Sequence, residues 1–276
     1  MAFSACAKVL FAAGKPSLSA SFSLMKTLIS FLIRYIPRPF LQRVAGVGTK
    51  ILSLGYRGTA VTCTICGSSY RKFLPYGRKA RENALCPHCL SLERHRLMWL
   101  YLKQETSFFT APLRVLHVAP EHCFIHRFEK LPQLTYISGD LESPLAQVKM
   151  DIHAIPFPEN HFDVVICNHV LEHVEDDILA CREIHRVLKP GGWSLLQSPV
   201  YAIENTYEDA SISSPEERER HFGQRDHVRK YGQDYAARLS RSGLKMEEND
   251  FVQRLPQEMV KRHGLSPQEI LFIGRK

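Results

Sequence analysis

Four cysteines carry the clearest chemistry in this chain. Cys63-x2-Cys66 is followed after 19 residues by Cys86-x2-Cys89. A Cys-x2-Cys turn points two thiolates at one ion, and two such turns close a tetrahedron. No position is left for water, so the chemistry expected is structural Zn2+ and not catalysis. Gly67 and Pro87 suit the turns, and His88 reads as a bystander between two ligands. Cys6, Cys123, Cys167 and Cys181 are scattered, and no Asn-x-Ser/Thr sequon occurs. This usage fits a reducing, cytoplasmic setting and not a disulfide framework. The loop between the pairs holds Arg71, Lys72, Arg78, Lys79 and Arg81 with Tyr70, Phe73 and Tyr76. Either these groups contact nucleic acid, or the aromatics are the module's own small core.

A second set of polar residues stands at intervals further on: Glu121, Asp140, Asp151, Asn168 and His169. The segments between them alternate. Leu92 to Thr106 has helical spacing, residues 114–119 (RVLHVA) form a short apolar strand, and His122 to Leu131 suits a helix. Leu134 to Gly139 is a strand ending at Asp140, and residues 162–167 (FDVVIC) are a strongly apolar strand. Asp176 to Leu188 is an amphipathic helix stopped by Pro190-Gly191-Gly192, and Trp193 to Ser198 is another strand. Apolar strands separated by helices predict an α/β fold, a doubly wound, mostly parallel sheet covered on both faces. Ligands of such sheets bind at the carboxyl ends of the strands, where these polar residues fall. The expected organisation is a basic arm over 1–58, the zinc module over 59–92 and the α/β domain over 93–276. An insertion over 201–240 lies on the substrate side.

Residues 150–193 (MDIHAIPFPENHFDVVICNHVLEHVEDDILACREIHRVLKPGGW) resemble the class I methyltransferases of the broad type-11 group, whose fold is Rossmann-like. The matching pieces are an acid before Ile-Pro-Phe, Phe-Asp before a buried strand, a Leu-Glu-His helix entry and Arg-Val-Leu-Lys-Pro-Gly-Gly. The likeness covers residues 113–200 and, weakly, the rest to the C-terminus. It implies an S-adenosylmethionine-dependent methyltransferase. The loop Val118-Ala119-Pro120-Glu121 would cradle the amino-acid end of the donor. Asp140, with Leu141, would take the ribose hydroxyls, and Asp151 with Ile152 would face the adenine. Asn168 and His169 would stand beside the sulfonium and the acceptor. The family's first loop usually reads acid-x-Gly-x-Gly, whereas His117 to His122 contains no glycine. Ala119 and Pro120 then stand in for glycine, and Glu121 takes the ammonium. A subfamily with Val-Ala-Pro-Glu as its standing form fits this departure, as does the Glu-Arg-His-Arg segment at 93–96.

His169 is the first candidate base, needed only if the acceptor loses a proton during transfer. Residues 221–235 concentrate His221, Gln224, Arg225, Asp226, His227, Arg229 and Tyr231. They read either as an acceptor lid with His227 catalytic or as a solvated helix held by Asp-Arg pairs. No Asn-Pro-Pro-Tyr-like motif and no Pro-Cys nucleophile appear, so no DNA acceptor is expected. The methyl acceptor stays open. Small molecules, lipid-linked intermediates and glycans form one class, RNA gripped by the zinc module and arm a second, and a non-catalytic zinc-containing binding protein the third reading. No Asp or Glu precedes Glu82, while residues 1–81 hold 13 Lys and Arg against a chain total of +8. Such an arm suits an anionic partner. Residues 22–45 could contact a membrane surface as a basic amphipathic stretch, making the protein peripheral. Residues 1–24 suit a transit peptide, or translation begins at Met25.

Overall fold

The structure is a computed structural model that describes residues 53–77 and 80–276. The expectations for residues 1–24 and 22–45, and nearly all of the 1–58 arm, lie outside the described residues. Among the described residues no helix is long and apolar enough to cross a membrane.

The chain divides into two compact units. One contains residues up to Tyr101 together with Val252–Pro267, and the other contains Leu102–Phe251 with Gln268–Lys276. The first unit takes in the start of the helix Glu93–Gln104, where Arg96 is fully buried. Its guanidinium donates to the carbonyls of Ala84, Ser91, His263 and Gly264 and lies 4.1 Å from the centre of the Phe73 ring. A charge with four such anchors cannot be separated from them cheaply.

The first unit is built on short antiparallel pairs. Strand β1 (Arg57–Thr62) pairs with β2 (Ser69–Tyr70), and β3 (Leu74–Tyr76) pairs with β4 (Arg81–Leu85). Tyr70 and Phe73 are buried, with ring centres 6.2 Å apart. Those two aromatics are core and do not offer stacking faces for nucleic acid.

The second unit carries seven strands of one sheet. They are β5 (Leu113–Val118), β6 (Leu134–Asp140), β7 (Val148–Lys149), β8 (Phe162–Asn168), β9 (Leu188–Gln197), β12 (Lys245–Asn249) and β13 (Leu271–Arg275). Their order is β12-β13-β9-β8-β5-β6-β7, with β13 antiparallel to both of its neighbours. The pairings among β5 to β9 are all parallel. Leu116, Val165, Ile184 and Leu196 belong to the buried core beneath this sheet. The expected mostly parallel α/β sheet is thus present. Between β9 and β12 the insertion adds a small ladder of β10 (Tyr207–Glu208) with β11 (Arg229–Lys230), and the helices Pro215–Phe222 and Tyr235–Ser240.

One boundary differs from expectation. The helix Asp177–Val187 ends before Pro190-Gly191-Gly192, and Leu188 is already extended. Phe162 faces Leu188 while Val164 faces Trp193, so residues 189–192 form a bulge inside β9. A side chain at Gly192 would meet the carbonyl oxygens of Lys189 and Asp163 at 2.9 and 3.0 Å. Glycine is needed there for a close backbone approach, not to stop a helix.

Candidate donor and acceptor site and thiolate cluster

Of the residues expected to hold a donor, Ala119 and Glu121 follow β5, Asp140 ends β6 and Asn168 ends β8. Ala119 leaves β5 with φ of 48° and donates its N–H to the Gly139 carbonyl at 2.8 Å. This is the left-handed turn that glycine usually supplies, and alanine holds it at a cost of about 1 kcal/mol. The missing glycine therefore changes the strain and not the turn.

Glu121 sits in a relay of fixed direction. The Tyr136 hydroxyl lies 3.0 Å from His117 Nδ1, and His117 Nε2 lies 2.6 Å from Glu121 Oε2. Asn168 donates from Nδ2 to Glu121 Oε1 at 2.9 Å. An ionised carboxylate only accepts, so His117 carries its proton on Nε2 and Tyr136 donates to Nδ1. Burial, reinforced by the Glu121 charge, pushes the Tyr136 phenol well above its ordinary range. The same logic fixes the Asn168 amide, whose Oδ1 is buried and lacks a hydrogen-bond partner among the described residues. A lone acceptor of this kind suits an incoming cation or N–H donor.

Asp140 ends β6. Its Oδ1 accepts the backbone N–H groups of Glu142 and Ser143 at 2.7 and 2.6 Å. Oδ2 has no hydrogen-bond partner among the described residues. A cleft of about 430 Å3 here takes in Asp140, Leu141, Ser143, Gln147 and Lys149, but not residues 118–121. Leu141 is exposed. Asp151 is exposed and its Oδ1 accepts from the backbone and ring of His153 at 2.9 and 2.8 Å. Those bonds hold its carboxyl below the usual range. Ile152 is buried in the core.

Next to Asn168, His169 has φ of 54° and its N–H donates to the Gln197 carbonyl at 2.7 Å. His169 Nδ1 lies 3.1 Å from Glu172 Oε1, and Ser198 Oγ donates to Glu172 Oε2 at 2.8 Å. Glu172 is almost wholly buried. Burial alone would raise its pKa, but the His169 hydrogen bond and the charges of His169 and His173 bring it down to about 2. Sequence reasoning places Glu172 within a family motif and gives it no role. The signal that could have found it is the three-residue step from His169, which puts both side chains on one turn.

The stretch 221–235 does not act as one surface. His227, Arg229 and Tyr231 point inward and are buried, whereas His221, Gln224, Arg225 and Asp226 are exposed. It is therefore neither a uniformly solvated helix nor a uniformly polar lid. Arg229 donates to the carbonyls of Leu171, Val174 and Glu175 and so shapes the turn that presents Glu172.

In the first unit Cys63, Cys66, Cys86 and Cys89 form one cluster with all four sulfurs within 4.8 Å of each other. Cys63 to Cys89 is 3.6 Å and Cys66 to Cys86 is 3.7 Å. The two turns repeat one pattern. Cys63 O accepts from Gly67 N and Cys63 N donates to Ser68 O, as Cys86 O accepts from Leu90 N and Cys86 N donates to Ser91 O. Gly67 and Leu90 hold the left-handed position of each turn, at φ of 71° and 60°. Pro87 thus belongs to its turn, but Leu90 is the counterpart of Gly67.

Residues 124–196 match the family model described as a methyltransferase domain. The ubiquinone/menaquinone biosynthesis C-methyltransferase UbiE of Shewanella oneidensis is 44% identical over 50 residues, covering 18% of this chain and 20% of that protein. An uncharacterized methyltransferase of Schizosaccharomyces pombe is 42% identical over 59 residues, 19% of this chain and 21% of that one. The matches span about a fifth of the length of these curated relatives. A solved S-adenosylmethionine-dependent methyltransferase from Mesorhizobium loti aligns with a TM-score of 0.44 and 17% identity over 64% of this chain and 97% of that one. Residues 124–196, about a quarter of the chain, are thus similar to a methyltransferase domain.

Proposed function

We propose that the protein transfers the methyl group of S-adenosylmethionine to a small-molecule, lipid-linked or glycan acceptor. The observation that carries this reading is the lone Asn168 Oδ1, presented by the Tyr136–His117–Glu121 relay at the end of β8. It offers a buried acceptor where the donor's ammonium would lie. Asp140 Oδ2 offers a carboxylate oxygen to the ribose hydroxyls, and exposed Leu141 an apolar surface beside them. Asp151, bonded to His153, serves the adenine end less directly than the resemblance implies. When bound, the donor supplies an electrophilic methyl on a sulfonium. The chain then has to hold two reactants in line, which can lower a barrier by about 7–11 kcal/mol on its own. His169, with Nδ1 beside Glu172, is the base where the acceptor must lose a proton.

Isotope-labelled donor added to cell extract, followed by sorting into lipid, small-molecule, protein and RNA fractions, tests the acceptor class. Label in RNA alone would replace this reading by the RNA one, and no donor binding at all would replace it by the non-catalytic one. Asp140→Asn should raise KM for the donor about 10- to 100-fold with a small change in kcat, since a charged hydrogen bond is worth roughly 1.5–3 kcal/mol. Glu121→Gln should weaken donor binding by a similar factor, because a carboxamide no longer dictates the Asn168 orientation. Calorimetric titration of donor into each variant checks both.

We also assign structural Zn2+ to Cys63, Cys66, Cys86 and Cys89. Sulfurs about 2.3 Å from one ion stand roughly 3.8 Å apart in a tetrahedron, close to the two separations given above. Ser91 Oγ lies 3.2 Å from both Cys63 Sγ and Cys89 Sγ, an outer hydrogen bond of the kind such sites use.

A further inference from the structure

A second group of metal-ligating side chains stands in the other unit. Glu172, His173 and His227 offer three ligand atoms that all lie within 4.8 Å of one another. Glu172 and His227 are buried, and His173 is mostly covered. The His173 and His227 rings meet edge to face with centres 4.7 Å apart.

Their hydrogen bonds set which nitrogens are available. His173 Nδ1 lies 3.1 Å from the Asp226 carbonyl oxygen, which can only accept, so Nδ1 carries the proton and Nε2 keeps its lone pair. His227 Nε2 is buried and has no hydrogen-bond partner among the described residues. An imidazole anchored through Nδ1 to a backbone carbonyl with Nε2 left over, as at His173, is the arrangement of a metal-ligating histidine. Glu172 adds a carboxylate held by Ser198 and His169. The turn that bears Glu172 and His173 is itself fixed by the three carbonyl contacts of Arg229.

We propose that Glu172, His173 and His227 bind a divalent first-row transition ion, Zn2+ first among them. Two imidazoles and one carboxylate suit Zn2+, Mn2+ or Fe2+, whereas Mg2+ and Ca2+ prefer all-oxygen sets. Ligand atoms about 2.0–2.2 Å from one ion stand roughly 3.3–3.6 Å apart, so closure by at most about 1.5 Å completes the site. Three protein ligands leave one position open to water or to an acceptor oxygen. The ion would also pin the turn after β8 to the segment 226–231. The site rests on these residues and not on the methyl-transfer reading.

The test uses the full chain, metal-free and then loaded with Zn2+ or Co2+. Elemental analysis should find one more equivalent of Zn2+ in the natural chain than in His227→Gln or His173→Gln. Co2+ should give one set of bands with thiolate charge transfer and a second set without it, and only the second should vanish in the two variants. Competition with a chromophoric chelator should show the second site weakened more than about 100-fold, since loss of outer-shell partners alone costs about 10- to 100-fold. His173→Gln, at a partly exposed position, guards against a folding defect in His227→Gln. Metal confined to the thiolate site in the natural chain would overturn the proposal, as would unchanged binding in both variants.

Discussion

Cys86→Ser is expected to abolish metal binding at the thiolate cluster and unfold the first unit, leaving the seven-stranded sheet folded. Structural zinc contributes about 10–16 kcal/mol to small thiolate modules at neutral pH. Leu74, Leu85 and Leu92 form one buried cluster of this unit, beside the buried Val61, Ile65, Tyr70 and Phe73. At roughly 1.5–3 kcal/mol for each buried side chain, that core is largely offset by the entropy of ordering the unit, so losing an ion of that strength should unfold it. Arg96 makes the loss steeper. Its burial disfavours the charged guanidinium, and the nearby thiolates of Cys63, Cys86 and Cys89, with Glu93, favour it. A zinc site of four thiolates would carry net negative charge, so losing it would leave the fully buried cation with only its carbonyl partners, the Phe73 ring and Glu93. The unit should become sensitive to protease between residues 57 and 101 and lose hydrogen-exchange protection there, while residues 113–118 and 162–168 keep theirs. A Ser variant with the same zinc content and protection would show the four cysteines to be ordinary core thiols.

The legible parts of this chain are those in which a short stretch of sequence decides the outcome. The apolar runs of β5, β6 and β8 are readable because a strand buried on both faces needs no partner to announce itself. The Cys-x2-Cys pairs are readable because ligand spacing is local. Arg96 is not, since its anchors at His263 and Gly264 are more than 160 residues away. The left-handed turn at Ala119 is hidden because the residue expected there is glycine, and alanine gives no local sign of positive φ. Gly191-Gly192 reads as a helix stop in sequence, because the same dipeptide also serves a bulge that must pass close to Asp163. Glu172 has its neighbours in view, but its closeness to His227 depends on how the insertion folds back. That fold-back carries ion pairs as well as apolar contacts, and periodicity does not encode the ion pairs.

The strongest of those ion pairs gives the second large effect. Asp177→Asn should destabilise the second unit by about 3–5 kcal/mol, the usual result of removing one partner from a buried ion pair. Asp177 is buried at the start of the helix Asp177–Val187. Arg238 grips it with two bonds, Nε to Oδ2 at 2.7 Å and Nη2 to Oδ1 at 2.9 Å, and the Tyr231 hydroxyl donates to Oδ2 at 2.8 Å. Arg229 stands 3.8 Å away and is itself buried. Burial alone would raise the Asp177 pKa, but the Arg238 bond, the charges of Arg229 and Arg238 and the Tyr231 bond bring it below the ordinary carboxylate value. A lowered pKa in the folded state means that the network's stabilisation is complete above the unfolded value of about 4 and fades as pH falls through the folded one. Denaturant melts should therefore show a gap between the natural chain and Asp177→Asn that is constant from pH 7 to about pH 5 and narrows in more acidic buffer. The variant should loosen residues 171–175 only slightly, because Arg229 keeps Glu208, 3.0 Å from its Nε, while still holding that turn. If the gap is under 1 kcal/mol or indifferent to acid, the insertion is held by its apolar contacts, with Tyr231, Tyr235 and Leu239 in the core carrying the load.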